Sequence, residues 1–426
     1  MYKTKDVIIT GFALFAMLFG AGNLIFPPMV GFINGNEITP AIIGFILTGA
    51  GFPLLAIFTS ALSGQGPDSF AERISPTFSK CFNTALILAI GPFLALPRTG
   101  ATAFEMIFSK DNINYNSYKI IFILVFFGIS LLFSLKSTKV VDRIGLFLTP
   151  ILLLVLGIII FKGIFFPIDQ SITTVKEMTP FKYGFLNGYQ TMDTLGAIVL
   201  SDIILKSIRN DKNLSPKQEF SFLIQTSLVA IGGLALVYGG LGFIGSTTSS
   251  ILPAGIGSVE LLISIATLLL GNSGKIILAI CVTGACITTS IGLIATVSNY
   301  LNQLTNISYV KIAVITTFVS TLFALFGVDI IVKIAIPVLV FLYPIAIALI
   351  FLNIFRNFIK NDNIFLGTII GTSIISGYEA LQAIGLNIQF INNIYPSIPF
   401  SSLGLAWILP AIIGGFIFKF IPSKSN

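Results

Sequence analysis

Residues 7–26 form an apolar run of membrane length, and the segment Gly20-Ala21-Gly22-Asn23 interrupts this run just before Pro27-Pro28. Each interior glycine costs a helix about 1 kcal/mol relative to alanine, and proline removes a backbone donor. Irregular backbone at membrane depth survives only where it is buried in protein or lines a cavity. The sequence therefore predicts a broken membrane helix, closed by the proline pair, at which a polar ligand binds.

The composition places the rest of the chain in a bilayer as well. Hydrophobic residues make up 55% of the 426 residues, charged residues make up 10%, and the mean hydropathy is +0.98. A soluble domain does not have this makeup, so we predict an all-α polytopic membrane protein. About twelve spans are expected, each of roughly 20 residues. After the first, they lie at residues 41–63, 83–108, 118–135, 143–163, 183–205, 219–245, 275–300, 311–327, 330–353, 363–385 and 402–420.

The distribution of Lys and Arg predicts the orientation. If both termini are cytoplasmic, most of the 24 Lys and Arg residues fall in inner segments, as the positive-inside rule requires. The net charge of +7 is then explained by membrane insertion, and no nucleic acid partner is needed. The segments 249–258 and 386–401 are expected to be external loops.

Several catalytic systems are excluded by residue content. The chain has no histidine, so His-ligated metal sites and Ser-His-Asp nucleophile systems are absent. No Walker loop is present, and we expect neither ATP hydrolysis nor an ATPase subunit. Cys81, Cys281 and Cys286 are expected to be free thiols. We predict that the protein is not an enzyme and that it has no cofactor.

A second interruption lies in the sixth span, residues 183–205. This span contains Gly184, Gly188 and Gly196, and the ionisable Asp193 lies close to mid-bilayer. Interrupted segments at corresponding places in two halves are typical of inverted-repeat transporters, whose binding site lies between the repeats. We predict a ten-helix core in residues 1–355, with five-helix repeats at about 7–163 and 183–355. Two additional helices then occupy residues 356–426.

Four segments resemble a known family. They are GFALFAMLFGAGNLIFPPMVG in span one, LALPRTGATAFE in span three, GYQTMDTLGA in span six and CITTSIGLIATVSNY in span eight. The chain resembles, over nearly its whole length, the branched-chain amino acid carriers of bacteria. The resemblance implies a leucine-transporter-type fold with broken helices 1 and 6, location in the bacterial cytoplasmic membrane, and symport of Leu, Ile or Val with Na⁺.

An amino acid zwitterion needs partners for both of its charges inside a membrane. The half-helix that begins after the first break offers free N–H groups to the carboxylate, and we assign this role to the backbone of residues 21–23. Carbonyl groups of residues 19–20 and 189–192 would face the ammonium group. The predicted substrate-binding set is Phe19, Gly20, Ala21, Gly22, Asn23, Tyr189, Met192, Asp193, Leu195 and Gly196.

Two charged residues leave alternatives open. Asp193 could bind the substrate ammonium, tune a cation site or titrate; it could also cap a half-helix or pair with Arg98. Arg98, within span three, could be a substrate ligand, but it is interpreted as a structural or gating cation, because backbone groups already serve the carboxylate and a strong ion pair would impede release.

A possible cation site lies in span eight. Ala285, Thr288 and Thr289 share one helix face, and their uncharged oxygen atoms suit sodium, although such hydroxyls often bond to their own helix. The resemblance implies that the carbonyl groups of Ala16 and Phe19 complete this site. A proton is the alternative coupling ion, with Asp193 as its carrier. A carrier for another small solute on the same fold is the alternative function, and a channel or intramembrane enzyme is disfavoured.

Overall fold

A computed structural model describes residues 3–63, 70–109, 113–135, 139–172, 178–210, 216–386 and 388–421, and these ranges contain helices and no strand. The all-α prediction is therefore confirmed for the described part of the chain. In chain order the helices are α1 (Thr4–Leu18), α2 (Gly22–Asn34), α3 (Ile38–Ile46), α4 (Phe52–Ser63), α5 (Pro76–Leu88), α6 (Ala95–Ile107), α7 (Tyr115–Leu135), α8 (Lys139–Phe165), α9 (Pro180–Tyr189), α10 (Asp193–Asn210), α11 (Pro216–Ser246), α12 (Ser258–Leu304), α13 (Tyr309–Ala324), α14 (Val328–Ile354), α15 (Asn363–Ala383), α16 (Gln389–Ile394) and α17 (Ile408–Lys419).

The first span is broken where the sequence predicts it. Helix α1 ends at Leu18, Phe19 is extended (φ −87°, ψ 97°), and α2 begins at Gly22. The predicted end of the span at Pro27-Pro28 is wrong, because α2 continues through both prolines to Asn34. A proline inside a helix has no N–H for the carbonyl four residues earlier, so two carbonyl groups near the break, those of residues 23 and 24, lose their usual helical donors.

The sixth span is also broken, but its glycines do not make the break. Helix α9 ends at Tyr189 and α10 begins at Asp193, and the residues between them are not glycine. Gly184 and Gly188 lie inside α9 at its contact with the second span. A Cβ atom on Gly184 would lie 1.7 Å from the carbonyl oxygen of Ala41, and one on Gly188 would lie 1.7 Å from Oγ1 of Thr48. Both glycines therefore serve close helix packing.

The second and third spans contain irregularities that the sequence analysis missed. A π-helical segment joins α3 to α4 over residues 47–51, and another joins α5 towards α6 over residues 89–93. Gly91 has non-helical torsion angles (φ −90°, ψ −119°), so the predicted span 83–108 is not a continuous α-helix. The pair Gly91-Pro92 is the sequence signal for this interruption. As a result, Arg98 lies in the first turn of a new helix, α6.

Helix α12 bends at Gly271, whose positive φ (68°, with ψ −166°) is readily adopted by glycine. The predicted eighth span, residues 275–300, lies after this bend. Around the two breaks, α1 and α2 pack on α11, α9 packs on α3, and α10 packs on α4, while α12 contacts α2, α6 and α8. Both broken segments thus lie within a bundle that contributes helices from most of the chain.

Two polar contacts link segments that lie far apart in the chain. Arg73 forms an ion pair with Asp362 in the connection between α14 and α15. Lys182 of α9 donates to the carbonyl of Ser401, in the segment predicted as an external loop. Seven helical stretches are long and apolar enough to cross a membrane in the described part of the chain, and three shorter apolar helices accompany them. The count of about twelve spans, the repeats and the cytoplasmic termini stay predictions.

Candidate functional site

The two breaks meet through a hydrogen bond between side chains. Nδ2 of Asn23, in the first turn of α2, donates to Oδ2 of Asp193, the first residue of α10, at 2.6 Å. The Asn23 side chain also closes its own break, because Oδ1 accepts the N–H of Gly20 (3.0 Å) and Nδ2 contacts the carbonyl of Leu18 (3.2 Å). Both side chains are buried. A single amide therefore shapes the first break and connects it to the second.

Tyr238 of α11 is a member of this cluster that the sequence analysis missed. Its hydroxyl oxygen lies 2.5 Å from Nδ2 of Asn23, and the hydroxyl has a long contact of 3.5 Å with Oδ2 of Asp193. The ring is fully buried and packs edge-on against Phe45 of α3. Nothing in the sequence distinguishes Tyr238 from the other tyrosines, because its position depends on how α11 packs on the broken first span.

Arg98 lies between the breaks. Its guanidinium Nη1 donates to the backbone carbonyl of Gln190, in the second break, at 2.7 Å. A Cβ atom on Gly22, at the start of α2, would come within 2.8 Å of Nη2. The guanidinium also lies 5.2 Å from the ring centre of Phe26. Arg98 and Asp193 do not form an ion pair, so the alternative in which they pair directly is wrong.

Aromatic residues seal one side of the second break. Tyr189, the last residue of α9, is buried and stacks on Tyr343 of α14 with ring centres 4.2 Å apart. The hydroxyl of Tyr189 and Oε1 of Gln190 are both buried without a hydrogen-bond partner in the described structure. Buried polar atoms of this kind are rare in proteins and call for an explanation. Tyr343 was not among the predicted site residues.

The backbone at the breaks is partly occupied by local hydrogen bonds. The N–H of Asn23 donates to the carbonyl of Gly20 (3.2 Å), and the N–H of Met192 donates to the carbonyl of Tyr189 (3.0 Å). The carbonyl of Met192 accepts the N–H of Gly196 (2.9 Å). Four of these groups are assigned to substrate from the sequence, namely the N–H of Asn23 and the carbonyls of Gly20, Tyr189 and Met192, and each already has one partner. Their role in binding stays a prediction.

Open space adjoins two of the predicted site glycines. The nearest atom to a Cβ on Gly20 would be Oδ1 of Asn23 at 3.6 Å, and a Cβ on Gly196 would meet no atom within 4 Å. Phe19 and Ala21, next to Gly20 in the chain, and Leu195, next to Gly196, are buried, as is Met192. The predicted substrate set thus lies at the two breaks, with Gly20 and Gly196, but not Gly22, at its less crowded points.

The predicted cation residues occupy one stretch of α12. Ala285, Thr288 and Thr289 are half-buried, and the Thr288 hydroxyl donates to the carbonyl of Ala285 at 2.9 Å. This bond is the local alternative for a helical hydroxyl, yet the oxygen keeps lone pairs for a cation. The ligand set with Ala16 and Phe19 stays a prediction.

Two membrane segments broken near their centres, with a buried polar cluster joining the breaks, define a transporter built on broken helices. Solved structures support this fold class. The structure is similar to that of MhsT in complex with L-phenylalanine (TM-score 0.58, 16% identity, 98% of each chain covered). The chain belongs to the family described as branched-chain amino acid transport protein, whose sequence profile matches residues 3–425.

A curated relative agrees with this membership. The branched-chain amino acid permease BrnQ of Bacillus subtilis (strain 168) is 39% identical over 418 residues, which cover 96% of this chain and 95% of the relative. The inward-facing conformation of Mhp1 is a further structural neighbour, with a TM-score of 0.61, 14% identity and coverage of 97% of this chain and 90% of the other. At these identities the two structural neighbours establish the fold alone.

Proposed function

We propose that the protein imports leucine, isoleucine and valine by sodium-coupled symport with alternating access. The observation that carries this proposal is the hydrogen bond between Asn23 and Asp193, because it brings two interrupted helices together in the buried centre of the bundle. Family membership supplies the substrate class. Half-helix termini and buried polar side chains at such a junction supply partners for a zwitterion that lipid cannot provide.

The side chain of the substrate would occupy the space beside Gly20 and Gly196. Their neighbours in the chain include the buried apolar residues Phe19 and Leu195, which suit a branched aliphatic group. A hydrophobic pocket distinguishes one methylene group by only about 1–3 kcal/mol. All three branched-chain amino acids are therefore expected to be carried.

Sodium and substrate would be coupled through linkage. If both ligands favour the same closed conformation, each raises the affinity for the other by the same factor. Radiolabelled leucine uptake into proteoliposomes tests this, with an inward sodium gradient compared with choline at equal ionic strength. We expect accumulation only with sodium. Undiminished accumulation in choline would remove sodium from the proposal, and absence of leucine uptake under every gradient would remove the substrate class.

A proton is the second candidate for the coupling ion, because Asp193 is a buried carboxyl group whose hydrogen-bond partners are uncharged. The same vesicles distinguish the two ions. An inward proton gradient without sodium would drive leucine accumulation only in the proton-coupled case, and Asp193→Asn would abolish that component.

The cation site in α12 is tested with two matched threonines. Thr288→Val removes a predicted sodium ligand, and loss of one uncharged oxygen ligand is expected to raise the sodium concentration for half-maximal uptake about 10-fold. Thr296→Val in the same helix is the control, because the Thr296 hydroxyl also donates to a carbonyl of its own helix. Equal sodium dependence of both variants would place the cation elsewhere.

A further inference from the structure

Arg98 is a buried cation whose donors are mostly unused. Its side chain is 3% exposed, and the guanidinium makes one hydrogen bond, to the carbonyl of Gln190. A guanidinium carries five N–H donors. No carboxylate pairs with it among the residues that the structure describes. Burying a charge without a counter-ion is costly, and such a group calls for an anionic partner that is bound at least part of the time.

Asp193 is a buried acidic group that, in the described part of the chain, likewise lacks a charged contact partner. Its side chain is 8% exposed, and Oδ2 is met by the amide of Asn23 and the hydroxyl of Tyr238, neither of which is charged. Asp193 and Arg98 do not form an ion pair with each other. The centre of the bundle thus holds one basic and one acidic side chain, both buried and neither with a charged contact partner among the described residues.

Arg98 and Asp193 both lie at the junction of the two breaks. Arg98 contacts the second break at Gln190 and lies against the first break at Gly22, so its free donors belong to the junction of the two segments. Asp193 is bonded to Asn23, the next residue along α2, across the same junction. An α-amino acid carries its carboxylate and ammonium groups on one carbon atom, and it complements such an arrangement.

We propose that Arg98 binds the carboxylate of the transported amino acid and that Asp193 binds its ammonium group. The proposal rests on the proposed function, since it takes the substrate to be an amino acid, and it changes the role assigned to Arg98 from the sequence. A guanidinium forms paired, charge-assisted hydrogen bonds with a carboxylate. The N–H groups of Gly20 and Asn23 are already bonded within the first break, which leaves a larger share of carboxylate recognition to a side chain.

Ligands that lack one charge test this assignment. The wild-type protein, Arg98→Gln and Asp193→Asn are purified. For each protein, competition assays measure the affinities of three ligands. The ligands are leucine itself, leucinamide (which lacks the carboxylate) and 4-methylpentanoate (which lacks the ammonium group). Truncating one partner of a buried charge pair is expected to weaken leucine binding at least about 100-fold in either variant. Arg98→Gln should leave leucinamide affinity unchanged, and Asp193→Asn should leave 4-methylpentanoate affinity unchanged.

A purely structural role would weaken all three ligands together in the Arg98 variant, and that result would overturn the assignment. If Asp193→Asn instead weakens 4-methylpentanoate as strongly as leucine and shifts the sodium dependence, Asp193 belongs to a cation site and its half of the proposal fails. Absence of leucine binding in the wild type would refute the proposed function itself, which is a separate outcome.

Two further variants distinguish a loss of ligand contacts from misfolding. Arg98→Lys keeps the charge but not the planar pair of donors, and it is expected to lose at least about 10-fold in leucine affinity while leucinamide affinity is retained. Thr99→Val is the matched control, because the neighbouring Thr99 hydroxyl is buried and donates to Leu96 of its own helix. Leucine affinity should be unchanged in Thr99→Val, and an equal loss there would show that α6 is merely sensitive to substitution.

Discussion

The two breaks reach a similar result by different means. The first is built from local residues: Gly20 has open space beside it, and Asn23, three residues later, bonds to its N–H. The second contains no glycine, and Met192 adopts a positive φ of 61° that is normally left to glycine. Distant residues hold the second break in place, with Arg98 on the carbonyl of Gln190 and Tyr343 stacked on Tyr189.

This difference shows that glycine has two separate functions in this protein. In the first break, Gly20 leaves room where a ligand is proposed to lie. In the sixth span, atoms of the second span occupy the space where side chains of Gly184 and Gly188 would lie, so these glycines allow the two helices to pack closely. A glycine in a membrane span therefore indicates a break only when its neighbours supply the hydrogen bonds that a broken backbone needs.

The largest effect is expected at Gly20. Gly20→Leu directs a branched side chain towards Asn23 and displaces the amide that bonds both breaks, so uptake should fall at least about 100-fold while the protein still inserts in the membrane. Leucine uptake and surface abundance are the measurements. Gly20→Ala is the control, because its Cβ would have an ordinary contact at 3.6 Å. Normal uptake by Gly20→Leu would show that the break serves packing alone.

A smaller effect, on stability, is expected at Gly188. Gly188→Ala places a Cβ on Oγ1 of Thr48 and forces α9 away from the second span, which should destabilise the protein by about 1–3 kcal/mol. Thermal denaturation in detergent measures the loss. Gly196→Ala should keep the wild-type melting temperature, because no atom lies within 4 Å of its Cβ position. Equal melting temperatures for the two variants would contradict the packing role.

The smallest effect is expected at Met192. Met192→Ala and Met192→Gly both remove the buried side chain, but only glycine adopts the positive φ without a steric cost. Met192→Gly should therefore be more stable than Met192→Ala by about 1 kcal/mol. The comparison of the two melting temperatures isolates the backbone strain from the lost packing. A more stable Met192→Ala would mean that the contacts around the break relax when the side chain is removed.

The two breaks also differ in how well the sequence predicted them. The break after Leu18 was predicted because two glycines and an asparagine lie within about one turn, with two prolines following shortly after. The break before Asp193 was predicted in the right span for the wrong reason, since its glycines pack against the second span. The interruption at Gly91 was missed although Gly91-Pro92 signals it, and that omission hid the position of Arg98 at the start of a helix.

The polar cluster shows why part of the site could not be predicted. Asn23 and Asp193 were chosen because polar groups in apolar spans are costly and so carry information. Tyr238 and Tyr343 carry no such signal, because aromatic residues make up 12% of this chain. Only the packing of α11 and α14 against the breaks brings them to the site.

The sequence by itself determined that this chain is helical, lies in a membrane and is interrupted at Gly20, because hydropathy and backbone propensity act over a few neighbouring residues. Tertiary structure alone decided that Met192 turns the chain with a positive φ and that Arg98 lies between the breaks, bonded to the carbonyl of Gln190. Both depend on contacts between residues nearly a hundred positions apart or more, whose energies no local pattern encodes.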